Sequence, residues 1–411
     1  MNPGRTLTAK YRVVLGIGAV TLVFSNAWLF LYDQGLTPVP PSFLGAALLV
    51  LGAPLLFHYR TSIVLANLPL LWWGAGYALV TVFSFFWSSQ SDVAIQELVT
   101  RFFWLALLFI HVIILADPAT HKTLRTLMIV VIVLASVLNY WDLFNPGVLS
   151  LSLGRATGLY GNPNIAAQTL TLGMIASIEA IPFRWRGWYV VVVAAGILPT
   201  FSRGGILGWL LVVLMLLWNR SIGFKHFARS LMLVILIGGA GILMFAGQYR
   251  LASLIQMNQV LTNQLGRVNA TAFESQLVDP SIGERATVLL KGIDAVADHP
   301  VMGAGLANAT EWSVSASTHN IYLLHMVELG LAGAAVFPLF LLSLFWSTRN
   351  GVRRRTAMLA ACLGFWGFLS HNLLDQWVVI LPIALLAVEG ALSRRGNRDG
   401  TSPLATGSDQ W

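Results

Sequence analysis

A chain of 411 residues with 56% hydrophobic residues, only 10% charged ones and a mean hydropathy of +0.73 is not an ordinary soluble domain, in which about 25% of residues are charged. The formal net charge of +8 would suit a nucleic-acid partner, but the basic residues are spread over many short segments and form no basic face. The composition points to an all-α polytopic membrane protein, with 15 Trp and 9 Tyr to populate interfacial belts.

The chain starts with Arg5, Lys10 and Arg12 and turns apolar from Val13. That apolar run is longer than the core of a cleavable leader and reads as a retained first span. Apolar runs fit for helical spans lie at 12–31, 42–58, 63–86, 101–116, 124–144, 164–182, 187–201, 205–219, 229–247, 320–346, 356–374 and 376–393, twelve in all. Threaded this way, most of the 25 Lys and Arg fall on the side of the N-terminus. Arg101, Arg155, Arg203, Arg250, Arg267, Arg285 and Lys291 stay on the other side. The positive-inside rule then makes both termini cytoplasmic. The expected organisation is nine helices over 1–247, a large periplasmic loop domain over 248–318, three helices over 319–393 and a disordered cytoplasmic tail over 394–411. Within the loop, Ala286, Leu289, Leu290, Ile293 and Val296 recur at helical spacing and predict an amphipathic helix. The turn-rich run His299-Pro300-Val301-Met302-Gly303-Ala304-Gly305 follows it.

Three external arginines stand out. Arg155 precedes Gly158-Leu159-Tyr160-Gly161-Asn162-Pro163-Asn164, where Asn162 is placed to cap the next span and Asn164 falls in its first turn. Arg203 sits in Phe201-Ser202-Arg203-Gly204-Gly205 between two apolar runs. A cation so close to hydrocarbon is functional, or it snorkels to the interface. Arg285 is the third, in the large loop. Guanidinium groups grip phosphate oxygens bidentately, so three in one external pocket would suit a diphosphate. Asp294 and Asp298 are four apart but read as solvated charges, and no Asp-x-Asp pair stands on the outside loops. No metal or other cofactor is therefore expected.

The segment from Ser317 to Gly330 carries the candidate base. With Ser317 or Thr318 as N-cap, His319 and Asn320 fall in the first helical turn, where a helix dipole favours neutral imidazole. Neutral imidazole can take a proton from a hydroxyl. His325 and Glu328 lie deeper in the same helix, as a tie between helices or a buried proton relay. Asp375, in Ser370-His371-Asn372-Leu373-Leu374-Asp375-Gln376, either orients His319, binds an acceptor or faces water; Tyr322 is a further candidate for orienting the acceptor.

Several features come in a consistent order: the Gly-Asn-Pro-Asn segment, the Ser-Arg-Gly-Gly turn, a late external loop ending in His299-Pro300-x-x-Gly303-x-Gly305, and His319-Asn320 followed by Glu328-x-Gly330. Over roughly 150–375 this resembles the O-antigen ligase and polymerase superfamily of bacterial envelope glycosyltransferases. The resemblance implies a GT-C-like architecture in the inner membrane, with an active site open to the periplasm. It implies metal-independent, inverting transfer of O-antigen glycan from undecaprenyl diphosphate to a sugar hydroxyl of lipid A–core. The family's essential arginines map onto Arg203 and Arg285, its histidine onto His319 and its late aspartate onto Asp375. Arg155, Asn162, Asn164, Ser202 and Asn320 would hold the donor. Expected partners are the lipid-linked donor, the lipid A–core acceptor and membrane lipids, with no nucleic acid. An O-antigen polymerase and a protein O-oligosaccharyltransferase are alternatives within the superfamily. A transporter of lipid-linked sugars is the alternative outside it, though such proteins hold their charges near the bilayer midplane.

Overall fold

The computed structural model describes residues 3–145, 147–149, 155–246, 280–312, 318–346, 348 and 350–398. Helices joined by turns make up the described residues, with no strand among them. In chain order they are α1 (Pro3–Gly18, continued by a π-helical turn to Phe24), α2 (Ala27–Asp33), α3 (Pro41–Gly52), α4 (Tyr59–Ala66) and α5 (Pro69–Phe86). Next come α6 (Asp92–Ile114), α7 (Pro118–Phe144), α8 (Pro163–Ser177), α9 (Phe183–Ile197) and α10 (Arg203–Trp218). The last are α11 (Phe224–Ala246), α12 (Pro280–Asp298), α13 (Ile321–Trp346), α14 (Asn350–Gly367) and α15 (Ile380–Arg398). The stretch 248–279 of the expected loop domain, with Arg250 and Arg267, lies outside the described residues, as do Ser317 and the tail from 399 onward.

Each expected apolar run falls on a helix, but the lengths differ. Leu7–Phe24, Pro69–Phe86, Asp92–Ile114, Pro118–Phe144 and Ile321–Trp346 are long and apolar enough to cross a membrane. A sixth crossing is added if Pro41–Phe57 and Tyr59–Ala66, bent by 94°, count as one. Against the expected run 63–86, the helix starts only at Pro69, whose missing N–H suits a first helical position. α8 and α9 have 15 residues each and run on through 3₁₀ turns, Ile178–Ala180 and Leu198–Thr200.

The chain forms two compact units, residues 1–131, 175–177 and 289–411, and residues 132–174 and 178–288. In the first unit, α5 packs on α13, α13 on α14, and α6 on α15. Trp73 Nε1 donates to Val336 O at 2.8 Å, and Trp104 Nε1 to Gln376 O at 3.2 Å. These indoles are buried, so an unmet N–H would be costly. The end of α12 packs on α13 through Gly292, where a Cβ would sit 2.7 Å from Leu323 Cδ2. Ala295 and Val296 join the cluster formed by Ala309, Leu323, Leu324 and Val327. The apolar face expected on α12 is therefore only partly the packed one. Val296 faces the core, while Leu289, Leu290 and Ile293 are exposed, because Gly292 permits the closest approach on a different side.

The turn 299–305 is built into α13. Gly330 breaks that helix at φ 61° and ψ −141°, a region open essentially to glycine alone. At the break, Leu331 N–H would ordinarily donate to Val327 O. It donates to Val301 O at 3.2 Å, and Val327 O accepts from Ala304 N–H at 2.7 Å. Ser84 Oγ donates to Glu328 O at 2.7 Å. No backbone group is stranded at the break by this exchange. The backbones are too close for side chains: a Cβ on Gly303 would meet Glu328 O at 2.6 Å, and one on Gly330 would meet Val301 O at 2.3 Å. The two glycine motifs, far apart in sequence, are one structural device.

In the second unit, α9 packs on α11 and α10. Asp142 Oδ2 accepts from the N–H groups of Thr157 (2.7 Å) and Gly158 (3.1 Å), anchoring the loop that leads into α8. Gly158 has φ 51°, and a Cβ there would lie 2.6 Å from Asn139 Oδ1.

Candidate functional site

Two helix starts meet in the second unit. Asn162 Oδ1 accepts from Asn164 N–H (2.8 Å) and Ile165 N–H (3.4 Å), capping α8 as its sequence predicts. Ser202 Oγ accepts from Gly205 N–H at 3.1 Å and caps α10. The same hydroxyl donates to Asn164 Oδ1 at 2.8 Å, linking the two starts. A Cβ on Gly205 would sit 2.3 Å from Ala167 Cβ, so only glycine allows the first turns to lie this close. The partial positive ends of two helix dipoles are thereby set side by side.

Arg155 is fastened across this corner. Its Nε donates to Thr200 O at 3.0 Å and its Nη2 to Asn164 Oδ1 at 3.3 Å, while Ala156 N–H reaches Pro199 O at 2.9 Å. Arg203 is the first residue of α10 and is exposed. The preceding turn holds Phe201 at φ 47°, a left-handed conformation that non-glycine residues seldom adopt. Arg155, Asn162, Asn164, Ser202 and Arg203 thus occupy one corner, with donors suited to an anion. Arg285 lies on α12, but its side chain is outside the described residues.

In the first unit, α13 starts later than expected. Asn320 is its cap: Oδ1 accepts from Tyr322 N–H (3.0 Å) and Leu323 N–H (3.2 Å). Thr318 Oγ1 donates to Asn320 O at 3.2 Å and caps nothing. The short amide stem of Asn320 reaches the second and third amides, which puts the cap two residues beyond Thr318 and three beyond Ser317, the two expected positions. His319 therefore lies before the helix and not in its first turn. It is held at φ 47°, a conformation costing about 1–3 kcal/mol and concentrated at functional sites. Its ring meets that of His371 edge to face, with centroids 5.6 Å apart. Tyr322 Oη donates to Gly364 O at 3.0 Å, and its ring meets that of Phe368 at a tilt of 31°, with centroids 4.5 Å apart.

The loop 370–376 brings His371 and Asp375 into this unit's polar region. Asn372 shapes it, accepting from Ser370 Oγ (2.7 Å) and Gln376 Nε2 (3.0 Å) through its side chain and from Asp375 N–H (3.1 Å) through its carbonyl. Burial pushes the Asp375 carboxyl up to about 7; Arg101 opposes this, and Glu97 and Glu328 add to it. Burial also pushes the His371 imidazole down to about 4, helped by the neighbouring His319.

Arg101, on α6, was expected on the external side, at the first position of the run 101–116. It is instead buried and paired with the buried Glu328 of α13, with Glu97 Oε2 3.8 Å from its Nε. His325 has no bond with Glu328; its ring lies 5.6 Å from that of Tyr77. The pair therefore ties α6 to α13, the structural role expected for Glu328, with a different partner. Arg101 could have been found from sequence as a cation at the edge of an apolar run. Asp142, near the end of the run 124–144, carried the same signal, but its partners, the amides of Thr157 and Gly158, could not be read from its own neighbourhood.

A family model described as O-antigen ligase matches residues 188–337. The match contains Ser202, Arg203, Arg285, His319, Asn320 and Tyr322, and leaves Arg155, Asn162, Asn164 and Asp375 outside. No curated protein matches the chain.

Proposed function

We propose, from the match of residues 188–337 to the O-antigen ligase family model, that the chain belongs to the O-antigen ligase and polymerase superfamily and is a membrane O-antigen ligase. It transfers a finished glycan from undecaprenyl diphosphate to a sugar hydroxyl of lipid A–core, at the periplasmic face of the inner membrane. The observation that carries the reading is the joined pair of helix starts at Asn162–Asn164 and Ser202–Gly205, with Arg155 strapped across them. A diphosphate leaving group gains charge as the glycosidic bond breaks. Fixed helix dipoles and guanidinium groups aimed at it stabilise that charge more in the transition state than in the ground state.

Arg203 and Arg285 take the departing diphosphate, and Arg155, Asn162, Asn164, Ser202 and Asn320 hold the donor. His319 removes the proton of the acceptor hydroxyl, which attacks the anomeric carbon as the bond to the diphosphate breaks. The left-handed backbone of His319 supports its selection for this role. Asp375, half-buried with a carboxyl poised near neutrality, is the group that orients acceptor or base. No metal enters this scheme.

Reconstitution of the purified protein with lipid-linked O-antigen and rough lipopolysaccharide tests the reading. Formation of smooth lipopolysaccharide in the presence of chelator is expected; elongation of the lipid-linked glycan alone would overturn the ligase assignment in favour of a polymerase. His319→Ala should lower transfer about 10²–10⁴-fold with donor binding retained. Arg203→Lys should cost about a hundredfold, since an ammonium does not reproduce the guanidinium fork; full activity of that variant would remove the diphosphate role.

A further inference from the structure

The second unit has a concave feature at the start of α9. Arg184, Trp185, Trp188, His226 and Arg229 line an open cavity of about 260 Å³. The 15 residues of α9, at about 1.5 Å each, separate it by roughly 22 Å from the capped corner at the other end of that helix.

The cavity is a built one. α9 and α11 touch backbone to backbone beside it, since a Cβ on Gly187 would lie 3.0 Å from Phe227 N and 3.1 Å from His226 C. Arg186 clamps the two entering loops together, donating through Nε to Ile181 O (3.0 Å) and through Nη1 to Ser221 O (3.2 Å). Phe183 meets the His226 ring edge to face at 6.1 Å and fixes its orientation.

The lining is two guanidinium groups, an imidazole and two indoles, and it includes no carboxylate. Indoles at the ends of membrane helices sit at headgroup depth, and basic pockets between such helices take phosphate headgroups. We propose that this cavity binds the phosphodiester headgroup of an anionic phospholipid. Arg184 and Arg229 hold the phosphate oxygens, and Trp185 and Trp188 lie against the glycerol and the first acyl carbons. A zwitterionic lipid is disfavoured, because the lining offers nothing anionic to meet its ammonium group. A free phosphate would leave the indoles without a partner. The proposal does not depend on the transferase reading, and its failure would leave that reading untouched.

The test is native mass spectrometry of the full chain in detergent with phosphatidylglycerol or phosphatidylcholine. The wild type should retain phosphatidylglycerol in preference. Arg184→Gln with Arg229→Gln, both exposed positions, should weaken that retention about thirtyfold, near fivefold per guanidinium. Lys10→Gln with Lys122→Gln removes the same charge at exposed positions that do not line the cavity and should leave the preference intact. Equal retention of the two lipids by the wild type, an equal loss in the lysine variant, or displacement of the lipid by millimolar inorganic phosphate would each overturn the proposal.

Discussion

The loop residues His371 and Asp375 pull the pH dependence of stability in opposite directions. The Asp375 carboxyl is raised to about 7 on folding, from about 3.9 unfolded. Between those values the folded state holds the extra proton, so stability falls as pH rises from about 4 to 7. The His371 imidazole is lowered to about 4, from about 6.5 unfolded. Between those values the unfolded state holds the extra proton, so stability rises with pH over about 4 to 6.5. The two slopes offset each other in the wild type. Asp375→Asn should therefore expose the histidine slope: melting temperature in detergent should climb from pH 4 to 6.5 and lie further above the wild type at pH 8 than at pH 5. An unchanged pH profile would show that Asp375 is solvated in the folded protein.

At the scale of the element, two glycines decide how helices meet. Glycine to alanine in a helix ordinarily stabilises by about 1 kcal/mol. At Gly205 that gain competes with a Cβ 2.3 Å from Ala167 Cβ, and such overpacking costs about 1–3 kcal/mol. The clash wins, and relief of it separates Ser202 from Asn164. Gly205→Ala should lower donor affinity along with thermal stability, whereas Gly330→Ala, far along α13 from His319, should lower stability alone. Binding of a fluorescent lipid diphosphate and a melting curve on each variant separate the two. The two positions also show what a pattern of glycines can and cannot disclose. Asn162 was legible as a cap, because capping depends on residues two and three places along the chain. The partnership of Gly303 with Gly330 was not, because each makes room for the other's backbone and neither need is visible locally.

Over the whole molecule, the threading of the chain through the membrane can be tested with its own chemistry. Cys362 is fully buried, so the native thiol is shielded. Asn164 and Trp185 are exposed near opposite ends of α8 and α9. Asn164→Cys should react with a membrane-impermeant maleimide added to intact spheroplasts, and Trp185→Cys only after permeabilisation. Labelling of both from the same side would refute the threading inferred from the basic residues.

Sequence patterns alone were enough to read the chain as helical and apolar, to place each apolar run on a helix and to pick out the polar segments between them, although helix ends differ from the runs by as much as nine residues, as at Asp92 of α6 against the expected 101. These follow from periodicity, hydropathy and local capping, which act over one or two helical turns. It also offered Arg155, Asn162, Asn164, Ser202 and Asn320 as donor-binding candidates beside Arg203 and Arg285; of these, Arg155, Asn162, Asn164, Ser202 and Arg203 share one corner, while Asn320 caps α13 in the first unit. Contacts between distant segments settled that the caps of α8 and α10 share a hydrogen bond, that Arg101 is the buried partner of Glu328, and that Asn320 caps α13 and leaves His319 strained before it. The face of α12 that packs was likewise settled by Gly292 against Leu323. Each of these depends on which distant backbone comes within contact, and a charge or a glycine carries no local record of the partner that fixes its role.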